Sequence, residues 1–77
     1  MNYNERLLFL RECKEKTQEQ IAVAIGIKRE QYRRYEAGIN LLPITHLKSI
    51  CEYYHVSADY ILGLPAGLPY PQRKRIR

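Results

Sequence analysis

A chain of 77 residues has room for one small domain and none for a separate catalytic or sensor domain. Its 45% hydrophobic residues are ordinary for a globular fold, and 13 Lys and Arg against 8 Asp and Glu give a formal charge of +5. Arg73, Lys74, Arg75 and Arg77 crowd one end, which leaves residues 1–72 with nine bases against eight acids, so the excess charge belongs to a tail.

The opening MNYNERLLFL has no basic n-region and no small-residue cleavage site, which predicts no secretory leader. Its apolar run Leu7–Leu10 is far shorter than the roughly 20 residues that span a bilayer, so no membrane partner is expected. Tyr3, Leu7, Leu8 and Leu10 fall at helical spacing and predict a first helix over about Asn4 to Lys14. Thr17-Gln18-Glu19-Gln20 has the form of a capping box: the Thr17 hydroxyl accepts from the backbone of Gln20, whose side chain reaches back. A second helix follows, with Ile21, Ala22 and Ile25 on one face, and Gly26 stops it. A third runs from about Lys28 to Ala37 and ends at Gly38. After the loop Ile39-Asn40-Leu41-Leu42, Pro43 opens a fourth helix expected to bury Ile44, Leu47, Ile50, Cys51 and Tyr54. Ser57 caps a short fifth helix, where Tyr60, Ile61 and Leu62 are expected to close the core. From Gly63 onward, three prolines and two glycines in nine residues exclude regular structure. The expected architecture is all-α: a five-helix domain over 1–63 and an extended basic tail over 64–77.

The connection Gly26-Ile27-Lys28 is too short to let its flanking helices lie antiparallel, so they must cross steeply, as in a helix-turn-helix. At 100° per residue, Arg29, Glu30, Arg33 and Arg34 share an arc of about 140° on the third helix, with Gln31, Tyr32 and Tyr35 opposite. An arginine fork suits guanine O6 and N7, or a phosphate. Two readings of the arc stay open. It is either a base-reading surface or an ordinary solvated face in which Glu30 and Arg34 form an i,i+4 pair.

Thr17-Gln18-Glu19-Gln20-Ile21-Ala22, Gly26-Ile27, Arg34-Tyr35-Glu36, Gly38 and Val56-Ser57-Ala58-Asp59-Tyr60-Ile61-Leu62-Gly63 resemble the Cro and C1-type helix-turn-helix family, the XRE-like or phage-repressor-like regulators. The resemblance runs over about residues 5 to 63 and implies a lambda-repressor-like fold that binds duplex DNA as a homodimer on a near-palindromic operator. It implies that Lys28, Arg29, Glu30, Arg33 and Arg34 face the groove or its phosphate walls and that Gln18 and Asn40 touch the backbone. Among these, base contacts are expected from Arg29, Glu30 and Arg34, and phosphate contacts from Gln18, Lys28, Arg33 and Asn40. It also implies a structural ion pair between Arg11 and Glu36. Tyr53, Tyr60 and Leu64, with Leu68 and Tyr70 beyond, would make the dimer contact.

The chain departs from that pattern in four places. Lys28 stands where a capping Ser, Thr or Asp is usual, so either the third helix lacks its cap or a phosphate supplies the acceptor. Tyr32 replaces a small aliphatic residue, and its hydroxyl is expected to reach the domain edge or a partner. The loop after Gly38 is apolar where it is often basic, and Lys16 replaces a common apolar residue.

The tail QRKRIR reads either as an arm along phosphates or the minor groove, or as a solvated terminus. His46 and His55, nine residues apart, fall on different faces of any continuous helix. Cys13 and Cys51 lack metal-ligand spacing and are expected to be reduced core thiols of a cytoplasmic protein, and the resemblance implies nucleoid association and a prokaryotic or phage origin. No phosphate-binding glycine loop or nucleophile motif is present, so neither enzymatic activity, metal nor cofactor is expected. The two functional readings are a sequence-specific transcriptional regulator, most simply a repressor, and a protein-binding module of the same fold, an antitoxin or adaptor using Ile39, Leu41 and Leu42.

Overall fold

A computed structural model describes residues 2–69 and contains, among them, five helices and no strand. They are α1 (Tyr3–Cys13), α2 (Gln18–Ile25), α3 (Arg29–Glu36), α4 (Ile44–Tyr54) and α5 (Ala58–Leu62). Tyr70 and the basic cluster at 73–77 lie outside the described residues.

Caps fix most of the boundaries. Asn2 and Glu5 form a capping box that starts α1, a signal hidden in the first residues of the sequence. Thr17 and Gln20 form another at α2, with the Thr17 hydroxyl accepting from the Gln20 amide at 3.1 Å. Gly26 ends α2 in the left-handed region at φ 78°, and the Ile27 amide then donates back to the Ala22 carbonyl at 2.9 Å. That reversal sets α3 directly against α2, the most extensively packed helix pair. Gly38, at φ 76°, does the same after α3. A β-carbon there would lie 3.3 Å from Asn4, whose amide donates to the Glu36 carbonyl.

Leu7, Ile21, Ala22, Tyr32, Tyr35, Ile50, Tyr54 and Ile61 form one core to which all five helices contribute. Each fully buried aliphatic side chain there stabilises the fold by about 1.5–3 kcal/mol relative to exposure. Four core expectations are corrected. Ile44 is 82% exposed because it begins α4 on the solvent side, and Leu62 is 48% exposed because α5 ends before its face meets the core. Tyr60 is 36% exposed, with the Arg6 guanidinium over its ring. Cys13 is exposed at the end of α1, whereas Cys51 is half-buried.

Tyr32 is corrected too. It is fully buried, and its hydroxyl reaches neither the domain edge nor any side chain in hydrogen-bonding geometry. The Tyr54 hydroxyl is likewise buried and unpartnered among the described residues. Burial, then the adjacent Glu36 carboxylate, pushes the Tyr32 phenol far above its ordinary range; burial raises Tyr54 to about 12.

A candidate nucleic-acid interface on the second and third helices

The site rests on a carboxylate. Glu36, at the end of α3, accepts two hydrogen bonds from the Arg11 guanidinium of α1, at 2.6 and 3.0 Å. The Gln18 amide of α2 donates to the same carboxylate at 3.1 Å, and Arg11 also donates to the Lys16 carbonyl at 2.9 Å. Burial pushes the Glu36 carboxyl up, but its hydrogen bonds, that from Arg11 foremost, outweigh burial and hold it below the usual range. The pair is well enclosed: the Glu36 side chain is 5% exposed and that of Arg11 is 17%. One carboxylate therefore ties three helices together and fixes where α3 emerges.

The opposite side of α3 is open. Arg29, Glu30, Arg33 and Arg34 are all exposed, while Tyr32 and Tyr35 are buried. Glu30 takes a two-pronged hydrogen bond from Arg33, at 2.9 and 2.7 Å, and a longer one from Arg34 at 3.3 Å. These bonds, with Arg33 the stronger contributor, lower the Glu30 carboxyl to about 2. The dominant partner is thus the i,i+3 arginine, whereas sequence spacing offered only the i,i+4 pair with Arg34. Exposed pairs of this kind exchange readily for other partners, since solvent screens them and little free energy holds them.

Lys28 occupies the N-cap of α3 without a side-chain cap, leaving the first amides of the helix free to accept an external anion. Nearby, Lys16, Thr17, Gln18 and Arg29 help line an open groove of about 540 Å³. Gln18 is half-buried, with part of its amide committed to Glu36. Asn40 is exposed beyond the far end of α3, its backbone amide bonded to the Arg34 carbonyl at 3.3 Å. The expected contact residues therefore flank or cover one outward helix.

The expected dimer residues divide. Tyr60 and Leu64 line a second, separate cavity with Arg6, but Tyr53 does not; it is half-buried, edge-on to Tyr54 at 5.0 Å between ring centres. Sequence reading also passed over a chain of side chains behind α3. Gln31 donates to the Tyr35 hydroxyl at 3.0 Å, and that hydroxyl lies 3.0 Å from Nδ1 of His46 on α4. Only the i,i+4 spacing of Gln31 and Tyr35 is visible in the sequence. Among the described residues, no cluster of metal-ligating side chains occurs and no helix is long and apolar enough to cross a membrane.

Residues 9–61 match the helix-turn-helix family. The chain is 44% identical over 76 residues to an uncharacterized HTH-type transcriptional regulator, YobD, of Bacillus subtilis, covering 97% of this chain and 68% of the relative. It is 36% identical over 63 residues to the cryptic phage CTXphi transcriptional repressor RstR of Vibrio cholerae, covering 82% of this chain and 56% of that repressor. In three dimensions it resembles a transcriptional regulator from Listeria innocua with a TM-score of 0.78 and 21% identity, over 91% of this chain and 65% of that one. The chain thus spans roughly half to two thirds of the length of these proteins. With the capped α2, the glycine turn and the outward α3 in place, the chain belongs to the XRE-like helix-turn-helix family of DNA-binding transcriptional regulators.

Proposed function

We propose that the protein is a sequence-specific repressor that binds a near-palindromic operator as a homodimer, with α3 in the major groove. The observation that carries this reading is the exposed Arg29, Arg33 and Arg34 face of α3, held outward by the half-buried Arg11–Glu36–Gln18 cluster. Arg29 and Arg34 read bases in this scheme, and Glu30 either accepts from cytosine N4 or orients Arg34. Gln18, Lys28, Arg33 and Asn40 hold phosphates. Lys28 and the uncapped start of α3 act together there, because a phosphate completes the cap the side chain lacks.

One recognition helix reads only a few base pairs, so two copies about 34 Å apart give a usable site. Tyr60 and Leu64, exposed on the α5 side, are the proposed contact between copies, together with the half-buried Tyr53. Repression follows from occlusion of a promoter that overlaps the operator, in the cytoplasm at the nucleoid. The tail over 64–77 adds charge without sequence preference.

The test is selection of bound duplexes from a randomised library at about 0.15 M salt, which suppresses tail-driven retention. An enriched inverted repeat with half-sites one turn apart is the expected result. Retention without an enriched motif would assign binding to charge alone. A second reading has its own observation: Ile39 and Leu41 of the α3–α4 loop are 61% and 86% exposed and Ile44 beside it is 82% exposed, while Leu42 is partly buried against the core. If no duplex is retained and a stoichiometric protein partner survives nuclease treatment, the protein-binding module replaces the regulator.

A further inference from the structure

The side-chain chain behind α3 has a direction, and that direction has consequences at the proposed interface. Tyr35 is 3% exposed, and its part-buried hydroxyl is placed to give its proton to a side-chain neighbour. Its two polar neighbours are Gln31, with Nε2 at 3.0 Å, and His46, with Nδ1 at 3.0 Å. A hydroxyl has one proton to donate, which leaves two self-consistent arrangements. In the first, Gln31 donates to Tyr35 and Tyr35 donates to an unprotonated Nδ1. In the second, Nδ1–H donates to Tyr35 and Tyr35 donates to the Gln31 carbonyl oxygen, which needs the amide turned over.

Protonated imidazole carries a proton on both nitrogens and so permits only the second arrangement. Gln31 is half-buried and adjoins Arg34 around the helix, at the margin of the exposed arc. Its amide has one end against Tyr35, which leaves the other end turned away from that hydroxyl. In the first arrangement the outward group is a carbonyl, which repels the acceptors of a duplex; in the second it is an NH2, which can donate to them. No ion pair reaches His46 among the described residues. Of the helices packed on α4, α3 presents Tyr35 to it. α2 carries only Glu19 as a titratable group and α5 only Asp59 and Tyr60, none hydrogen-bonded to His46.

We infer that Gln31 is a further DNA-facing residue, and that Tyr35 and His46 are positioning residues that set whether its amide offers the duplex a donor or an acceptor. This rests on the DNA-binding reading above, but the hydrogen-bond relay can be tested without DNA. In the free protein, the Gln31 side-chain amide and the His46 ring are followed by NMR from about pH 5 to 8, with Tyr35→Phe as the uncoupled variant. The Gln31 amide is expected to titrate with His46 in the wild type and not in Tyr35→Phe. An amide that stays fixed while His46 titrates in the wild type overturns the relay.

Affinity is then measured at about pH 5.5 and 7.5 for a selected duplex and for a scrambled one. Tyr35→Phe keeps both histidines, so any gain from imidazole charge alone persists in it. The wild type is expected to gain about three- to tenfold more on acidification than the variant, the range one hydrogen bond supplies. A gain on both duplexes assigns the acceptor to phosphate; a gain on the selected duplex alone assigns it to a base. Equal gains in wild type and variant remove Gln31 from the interface. Absence of DNA binding at either pH, with the amide still tracking His46, overturns the DNA reading and Gln31's part in it while leaving the relay intact.

Discussion

Glu36 accepts from Arg11 and Gln18 at once, and it does so almost out of reach of water. Glu36→Ala strands the Arg11 guanidinium, and about 2–4 kcal/mol of stability is expected to be lost in urea unfolding. The acid dependence follows from the same contacts. The folded protein holds the Glu36 carboxyl below its ordinary value near 4.5, so the folded state binds this proton less readily than the unfolded one. Its contribution is complete at neutral pH and is lost as the pH falls below about 4.5 toward the folded value, a fall that Glu36→Gln should flatten. Arg34 is separable from this network. Arg34→Ala should cost about 1–3 kcal/mol of operator affinity and relax preference at one position per half-site, measured by repeating the selection with the variant. A uniform loss on every duplex would instead make Arg34 a phosphate contact.

The helices differ in how plainly their limits are written. Thr17, Gly26, Gly38 and Ser57 mark boundaries by local chemistry, through a side-chain acceptor or a tolerated left-handed backbone, and the observed helices begin and end beside them. Exposure is another matter. Ile44 and Leu62 have the composition of core residues, but each sits at a helix end, where a shift of one position turns a side chain from core to solvent. The burial of Tyr32 and the Gln31–Tyr35–His46 chain depend on α4 passing behind α3, which no local pattern encodes. The exposed arc of α3 was legible because its residues lie on one helix; what each one touches was not, since Glu30 chooses between two arginines by rotamer. At the element scale two changes act on caps. His55 ends α4 at φ 58°, a conformation glycine adopts more freely, so His55→Gly should raise stability by about 0.5–1 kcal/mol, seen as a rise of several degrees in Tm. Lys28→Ser should add a cap worth about 0.5–1 kcal/mol while removing a phosphate contact, lowering the salt slope of DNA binding by about 0.9.

At the scale of the molecule, a small core leaves a narrow margin, and binding of a partner that prefers the folded state adds directly to it. Charge is unevenly placed as well: most of the +5 lies in residues 73–77, while the face of α3 tempers its three arginines with Glu30. Truncation after Leu64 should therefore weaken binding to random duplex more than to operator, a difference read by titrating both at two salt concentrations. The buried carboxylate has a mechanical corollary. Because Glu36 clamps the first three helices at a common point, α3 behaves as a stiff tooth with its pitch preset. In the proposed dimer compliance must then come from the duplex, so the base pairs between half-sites, touched by nothing, would be selected for how easily they twist.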